Sequence, residues 1–383
     1  MADLEAIITE LAQSVPGAIL QDMPPQHVVA RRELEMEPSF SSQMQGHNHK
    51  LLIPRTRLSG VFLVTEAEHL PDLDSILQDD FRKDGVEALA WYRSYHYGTS
   101  HKWGISMRRE GIYYLAKYLQ GEHYKASSYL DIDVLDFIQI AFNYLQLHEY
   151  FHFIADIACT VVELSQHNAL YRRYFSEVYT QKNDKFEEAI ANAYASRMMQ
   201  RQGVAEPLKQ FMLHQPPFYN AYGHWTGRRA FQYGRQKLAG LMCPSLAGTS
   251  GVVPGSELLF RIDHADLDYQ DVPIYLETSK AATRIIPSLR VVQKIKHLEH
   301  TSKFDEEFKY QPQSIKMKVE VAKHKLQEDV QDPSLHFDKI RGHGPVFTVR
   351  VDGSYKMSMR HYGGDTWKLL RIGRSSDIHG NPG

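Results

Sequence analysis

The chain has very little cysteine. Only Cys159 and Cys243 occur in 383 residues, so no disulfide framework holds the fold together. So few thiols fit a reducing compartment, and a cytoplasmic protein is expected. Long apolar runs are also missing. The longest candidate, around residues 134–164, is interrupted by His148, Glu149, His152 and Asp156, which argues against a membrane-embedded enzyme and against a membrane partner. The opening Met1-Ala2-Asp3-Leu4-Glu5 carries none of the cationic character of a signal peptide. Nor does one sign of charge dominate: a net charge of −2 gives no global field that would mark a nucleic-acid or lipid binder. Internal repeats and low-complexity tracts are absent as well, which excludes solenoid and fibrous classes.

What is present is the composition of a globular protein, 43% hydrophobic and 23% charged, at a length that suggests two or three domains. The small net charge hides an asymmetry. Residues 291–383 hold 16 Lys and Arg against 12 Asp and Glu, a net of +4, and the preceding residues balance to −6. Leu4, Ile7, Ile8 and Leu11 predict a short amphipathic helix over 3–12. Residues 36–57 read as loop, and His47-Asn48-His49 within it as solvated surface. Strands are expected at 60–64 and 103–107, followed by a helix near 110–120.

The strongest helix spans about 132–164, with Asp131 or Asp133 as its cap. Ala141, Leu145, His148, His152, Ala155 and Cys159 recur on it at spacings of three and four, so both histidines share one stripe. His148-Glu149-Tyr150-Phe151-His152 is an HExxH pattern. Imidazoles one turn apart can hold one zinc ion, and a carboxylate about 100° around the helix can reach water beside it. A lone glutamate in so apolar a setting is costly without a polar partner. A catalytic zinc site needs a third protein ligand and one open position. Glu163 and His167 are candidates, and a second helix is expected at about 185–201.

At this point the pattern resembles the zincin metallopeptidases. The metzincin branch is excluded, since it places Gly at 155 and His at 158, where this chain has Ala155 and Ala158. The gluzincin branch draws its third ligand from a downstream E-x-x-[AS]-[DN] segment, which Glu188-Ala189-Ile190-Ala191-Asn192 matches, with Asn in place of the usual Asp. The resemblance, over about 130–200, implies metal ligands His148, His152 and Glu188, catalytic Glu149, and Asn192 orienting a ligand imidazole. It also implies a Tyr or His that stabilises the transition state. Tyr219, Tyr222, His214 and His224 all lie in the right region.

Residues 243–290 are rich in turn signals, and strands at 257–262 and 272–277 suggest a β extension between domains. Beyond it, 291–297 begins a new pattern. Helices follow at 303–310 and 313–330, split by Pro312, with Ile315, Val319, Ala322, Leu326 and Val330 as the apolar face of the second. Strands at 346–351, 356–360 and 367–372, joined at Asp352-Gly353 and Gly363-Gly364-Asp365, form an antiparallel meander. The segments Phe304-Asp305-Glu306-Glu307-Phe308, Leu335 to Gly342, Phe347 to Lys356, Leu369-Leu370-Arg371-Ile372-Gly373 and Asp377-Ile378-His379 resemble, in order and spacing, those of the RelE/ParE toxin superfamily. That superfamily contains ribosome-dependent mRNA endonucleases and gyrase inhibitors. The resemblance implies an RNA- or partner-binding set of Arg350, Lys356, Arg360, Arg374 and His379. Lys356 stands where Arg is usual, Ser375 where His is common and His379 where Tyr is common.

The expected fold is α+β: a zincin-like helical core with an N-terminal mixed sheet, plus a small RelE/ParE-like α+β domain. Expected boundaries are 1–100 (an α/β region), 101–242 (the peptidase core), 243–290 (the β linker) and 291–383 (the toxin-like module). The expected activity is zinc-dependent hydrolysis of a protein or peptide substrate, with the C-terminal module recruiting or sensing an antitoxin, a ribosome or RNA. One rival makes the basic module the active part, as a ribonuclease or translation inhibitor regulated by the zinc domain. Another is a non-enzymatic interaction protein with structural zinc.

Overall fold

The computed structural model describes residues 62–97, 103–125, 132–166, 169–180, 185–199, 205–243 and 272–383, less positions 66, 293, 331, 341, 342, 344 and 364. The expected helix at 3–12, the loop at 36–57 with its His47-Asn48-His49, the strand at 257–262 and His167 lie outside the described residues.

Along the chain come β1 (Phe62–Thr65), α1 (Asp74–Asp84), a 3-10 turn (Gly85–Ala88), β2 (Ala90–Arg93), β3 (Gly104–Arg108), α2 (Arg109–Lys125) and α3 (Val134–Gln166). A short α4 (Leu170–Tyr174) runs into a π-helical turn (Phe175–Tyr179). Next are α5 (Phe186–Met198), α6 (Ala205–Leu213), a 3-10 turn (Tyr219–Trp225), α7 (Arg228–Met242) and β4 (Ile274–Glu277). The chain continues through β5 (Leu289–Val292), β6 (His297–His300), α8 (Ser302–Lys309), α9 (Gln313–Glu328), β7 (Asp338–Lys339), β8 (Val346–Arg350), β9 (Tyr355–Gly363), β10 (Thr366–Arg374) and α10 (Ser375–Gly380). Helix and sheet are mixed, as the α+β expectation requires.

The described residues fall into two compact units, one built from 71–128 and 141–286, the other from 54–70, 129–140 and 287–383. In the first unit β2 pairs antiparallel with β3, and β4 pairs parallel with β3. In the second unit β1 pairs antiparallel with β5.

In the first unit β3 is the central strand of the order β2-β3-β4. Gly104 opens it at φ +119, and an added Cβ would stand 2.5 Å from the Pro273 carbonyl oxygen. That same oxygen accepts from the Ile105 N–H at 2.8 Å, so the pairing with β4 needs a glycine there. Every residue of α3 from 141 to 160 is buried, which explains why its apolar side chains run all round the helix. On α5 the buried Ala189, Ala191, Ala193 and Ala195 keep the helix surface low, so neighbouring elements can approach its backbone. Among the described residues no helix is long and apolar enough to cross a membrane.

In the second unit the strand order is β6-β10-β9-β8-β7, with β8, β9 and β10 forming the expected antiparallel meander and β6 added parallel to β10. Ile315, Val319, Ala322, Leu326 and Val330 are buried as their spacing predicts, in one core with Phe337, Phe347 and Trp367. The larger of these, the Val, Leu, Ile and Phe side chains, each contribute roughly 1.5–3 kcal/mol when fully buried. Asp352 shapes the β8–β9 turn by accepting from the N–H groups of Ser354 and Tyr355 at 2.8 and 2.9 Å. Asp133 caps α3, accepting from the Asp136 N–H at 3.0 Å. Buried Lys339 pairs with Asp133 and, at 3.7 Å, with Asp136, and so pins this helix start within the second unit.

Candidate metal centre

Two helices of the first unit supply the site. α3 carries His148, Glu149 and His152, and α5 carries Glu187 and Glu188; all five are buried. Three of them converge. His148 Nε2 lies 3.0 Å from Glu188 Oε2 and 3.4 Å from His152 Nε2, which in turn lies 3.5 Å from Glu188 Oε1. Ligand atoms bound tetrahedrally at about 2.0–2.1 Å stand roughly 3.3 Å from one another, close to these spacings. The trio His148, His152 and Glu188 can therefore hold a metal ion. It is the ligand set expected from the sequence.

The electrostatics fit a cation. Burial raises the proton affinity of Glu188, but the two imidazoles outweigh it and hold the carboxyl well below the usual carboxylate range. Burial alone would push His152 down; Glu188 and Glu187 instead push it well above an ordinary imidazole. Glu149 is not a member of the trio. Burial pushes its carboxyl up to about 7, against the pull of His148 and His152, and its Oε1 has no hydrogen-bond partner. A buried carboxylate oxygen left bare beside the trio is unusual unless a ligand or water completes it.

The groups that support the trio are mostly ones the sequence did not single out. Glu187 Oε1 lies 2.7 Å from His152 Nδ1 and holds that ring's second nitrogen, while the Tyr174 hydroxyl donates to Glu187 Oε2 at 2.6 Å. The Tyr179 hydroxyl stands 2.5 Å from both Glu188 Oε1 and Glu87 Oε1, and its single proton can be given to either carboxylate. Lys185 donates to Glu87 at 2.6 Å and to the Tyr219 hydroxyl at 3.1 Å, which closes a half-buried polar rim. The Glu187-Glu188 pair in an alanine-rich helix was the one available signal, since two adjacent carboxylates there must both find partners. Nothing distinguishes Tyr174 or Tyr179 among 22 tyrosines.

Asn192 is a correction. It orients neither imidazole. Its Oδ1 accepts from the Tyr144 hydroxyl at 2.6 Å, and its amide donates to Gln215 Oε1 and the Tyr219 carbonyl, both at 3.1 Å. A neutral amide offers two donors, and a nearby turn carbonyl and side-chain oxygen take them. His148 Nδ1 is left without a partner.

Glu163, a rival third ligand, belongs to a different buried cluster. There His96 is clamped by Asp156 at 2.7 Å on Nδ1 and by Glu163 at 2.9 Å on Nε2, and its ring stacks between Tyr95 and Tyr171. Of the expected transition-state residues, Tyr219 reaches the rim through Lys185 and Tyr222 is buried. His214 bonds to Tyr118 and the Gln210 carbonyl, and His224 is exposed.

On the second unit three of the five expected residues come together. Arg350 and Lys356 are register partners on β8 and β9, and Lys356 Nζ lies 2.9 Å from His379 Nε2. Exposed His336 joins them; burial first, then Arg350 and Lys356, lowers its proton affinity. Burial and the Lys356 charge lower His379 in the same way. His336 sits at φ 42, a backbone conformation rare outside glycine. Arg360 and Arg374 are exposed, Arg374 next to Gly373, the β10 register partner of Lys356. No protein-family model, no curated protein and no solved structure matches this chain.

Proposed function

We propose that the chain is a zinc-dependent hydrolase of peptide bonds, with His148, His152 and Glu188 as ligands and Glu149 as general base. The observation that carries this reading is the spacing of the two Nε2 atoms and the Glu188 carboxylate, 3.0 to 3.5 Å apart in a buried setting. Two nitrogens and one oxygen are a donor set suited to zinc, and three protein ligands leave a position for reactants. Bound there, zinc would act as a Lewis acid toward a carbonyl and make water a better nucleophile at neutral pH. The protein's own part follows from its geometry. Glu149, with its bare Oε1, takes a proton from water and returns it to the leaving amine. Glu187 fixes the His152 ring, and Tyr179 steadies the Glu188 oxygen that faces Glu87.

Under this reading the C-terminal unit serves recruitment or sensing, with protein, ribosome or RNA as its partner, and free buried thiols suit a cytoplasmic setting. A specific observation keeps the rival in view. The contact of Lys356 with His379 beside Arg350 sets a base next to cations, as cleavage or binding of a phosphodiester requires. The two readings separate in one experiment. Glu149→Gln should keep its metal and lose hydrolysis of an unstructured protein substrate, while Arg350→Ala with His379→Ala leaves that hydrolysis intact. If RNA cleavage is present and lost only in the second variant, the basic unit is the active one.

A further inference from the structure

The short helix α4 (Leu170–Tyr174) has no side-chain cap at its start. A helix of so few residues does not hold itself, so contacts from outside set its place. Several come from His96, on a 3-10 turn (Tyr95–Tyr97), and from Glu163 on α3. Both nitrogens of the His96 ring lie against carboxylates, Nδ1 2.7 Å from Asp156 and Nε2 2.9 Å from Glu163, so both donate and the ring is an imidazolium. The other Glu163 oxygen accepts from the Tyr171 N–H at 2.7 Å. The Tyr171 ring stacks on the imidazole with centroids 5.0 Å apart, and the Arg172 guanidinium donates to the His96 carbonyl at 2.8 and 3.3 Å. Tyr174 follows Tyr171 by three residues, on the same side of the turn, and both are buried. Its hydroxyl donates to Glu187 Oε2 at 2.6 Å, and Glu187 Oε1 lies 2.7 Å from His152 Nδ1. The contacts run without a break from His96 through Glu163, α4, Tyr174 and Glu187 to His152.

We infer that His96 is a positioning residue for His152: through Glu163 and α4 it sets where Tyr174 holds Glu187, and thereby how the His152 ring is presented to an ion. The consequence for metal binding rests on the zinc reading; the hold on the ring does not. Glu163 is the hinge of this relay, because one of its oxygens takes the imidazolium and the other takes the first turn of α4. Deprived of its cation, a buried carboxylate must turn to other donors or stay unpaired. Either outcome loosens Tyr171, and Tyr174 on the same turn loses its aim at Glu187. Glu187 then holds the second nitrogen of His152 less firmly, and an imidazole without that support binds metal more weakly.

The test uses folded full-length protein with isotope-labelled histidine. The Nδ1 signal of His152, assigned with His152→Gln, is read without metal, and zinc affinity is measured in parallel by competition with a chelator. His96→Gln is expected to shift the His152 signal and to weaken zinc binding about 2- to 30-fold. In a Tyr174→Phe background, where the link to Glu187 is cut, His96→Gln should add nothing to either readout. A clamp that only stabilised the fold would lower the denaturation midpoint and leave both readouts unchanged. A His152 signal that stays in place in His96→Gln, or that shifts equally with and without the Tyr174 hydroxyl, overturns the proposal. Wild-type protein that binds no zinc overturns the metal reading instead, and the His152 signal still decides the role of His96. If His96→Gln does not fold, Arg172→Ala takes its place: it frees the His96 carbonyl from α4 and should shift the His152 signal in the same direction, and an unmoved signal there overturns the proposal.

Discussion

Two polar clusters among the described residues differ in what surrounds them. His148, His152, Glu149, Glu187 and Glu188 are all buried on two helices, whereas Arg350 on β8, His336 and His379 on α10 are exposed. Buried ionisable groups are expensive, so a buried set persists only when its charges are matched among themselves or by an ion. Exposed cations carry no such requirement. Water solvates them, and their arrangement says little until a polyanion is added. The inner cluster therefore speaks about its ligand through geometry, while the outer one speaks only through its chemistry. His96, pinned by Asp156 and Glu163, shows that this protein also buries an ion-paired cluster outside the trio. What distinguishes the trio is the convergence of three ligand atoms on one point.

That contrast can be broken or sharpened by experiment. The largest effect is expected at Glu149. Its replacement by Gln keeps shape and metal but removes the base, so hydrolysis should fall about 10²- to 10⁴-fold while metal content stays constant. Unchanged turnover would remove Glu149 from the mechanism.

Next is the alkaline side of stability. Burial lowers His96, but Asp156 and Glu163 overcome it and raise the imidazole from 6.5 to about 9. Tyr95 and Tyr171 stack on its ring, and Arg172 donates to its backbone carbonyl. A raised folded value means that the stabilisation is fully present below pH 6.5 and is lost as pH rises through about 9. The span is on the order of 3 kcal/mol. Denaturant midpoints measured across that window should fall in the wild type and stay flatter in His96→Gln; equal slopes would show that the clamp carries no linkage.

A smaller effect is expected at Glu187. Removing a carboxylate that orients a ligand imidazole costs about 10- to 100-fold in metal affinity. Glu187→Ala should show that loss in a competition titration with a zinc chelator, and Glu187→Gln should recover part of it. Equal affinity in all three would mean that the His152 ring needs no such support. The smallest effect belongs to the outer cluster. Lys356→Ala should move stability by less than about 0.5 kcal/mol and leave metal content alone. It should reduce the salt dependence of any RNA binding by about one counterion. A change in metal content there would collapse the distinction between the clusters.

Much of this was legible from periodicity. The spacing of Ala141, Leu145, His148, His152, Ala155 and Cys159 predicts one long helix, and α3 runs from Val134 to Gln166. Alternation and the turns at Asp352 and Gly363 locate the meander, because register and turn chemistry are local properties. The partnership of β3 with β4 was not legible, since parallel strands joined across most of a domain leave no local mark. For the same reason the pairing of β1 with β5 was not legible. At the site, His148, His152 and Glu188 are carried by a spacing, whereas Glu87, Tyr174 and Tyr179 reach it by folding alone. Asn192 shows the limit of carrying a role along a motif. Its position matches, but its hydrogen bonds go to Tyr144, Gln215 and the Tyr219 carbonyl.

Metal content of the purified full-length protein, measured by elemental mass spectrometry after zinc addition and removal of loosely bound ions, bears most directly on the buried trio. About one zinc per chain is expected in the wild type, with loss in His148→Ala and in Glu188→Ala and retention in Glu149→Gln. A folded wild-type protein without stoichiometric metal, or one whose metal survives both ligand substitutions, contradicts the assignment of His148, His152 and Glu188 as its ligands.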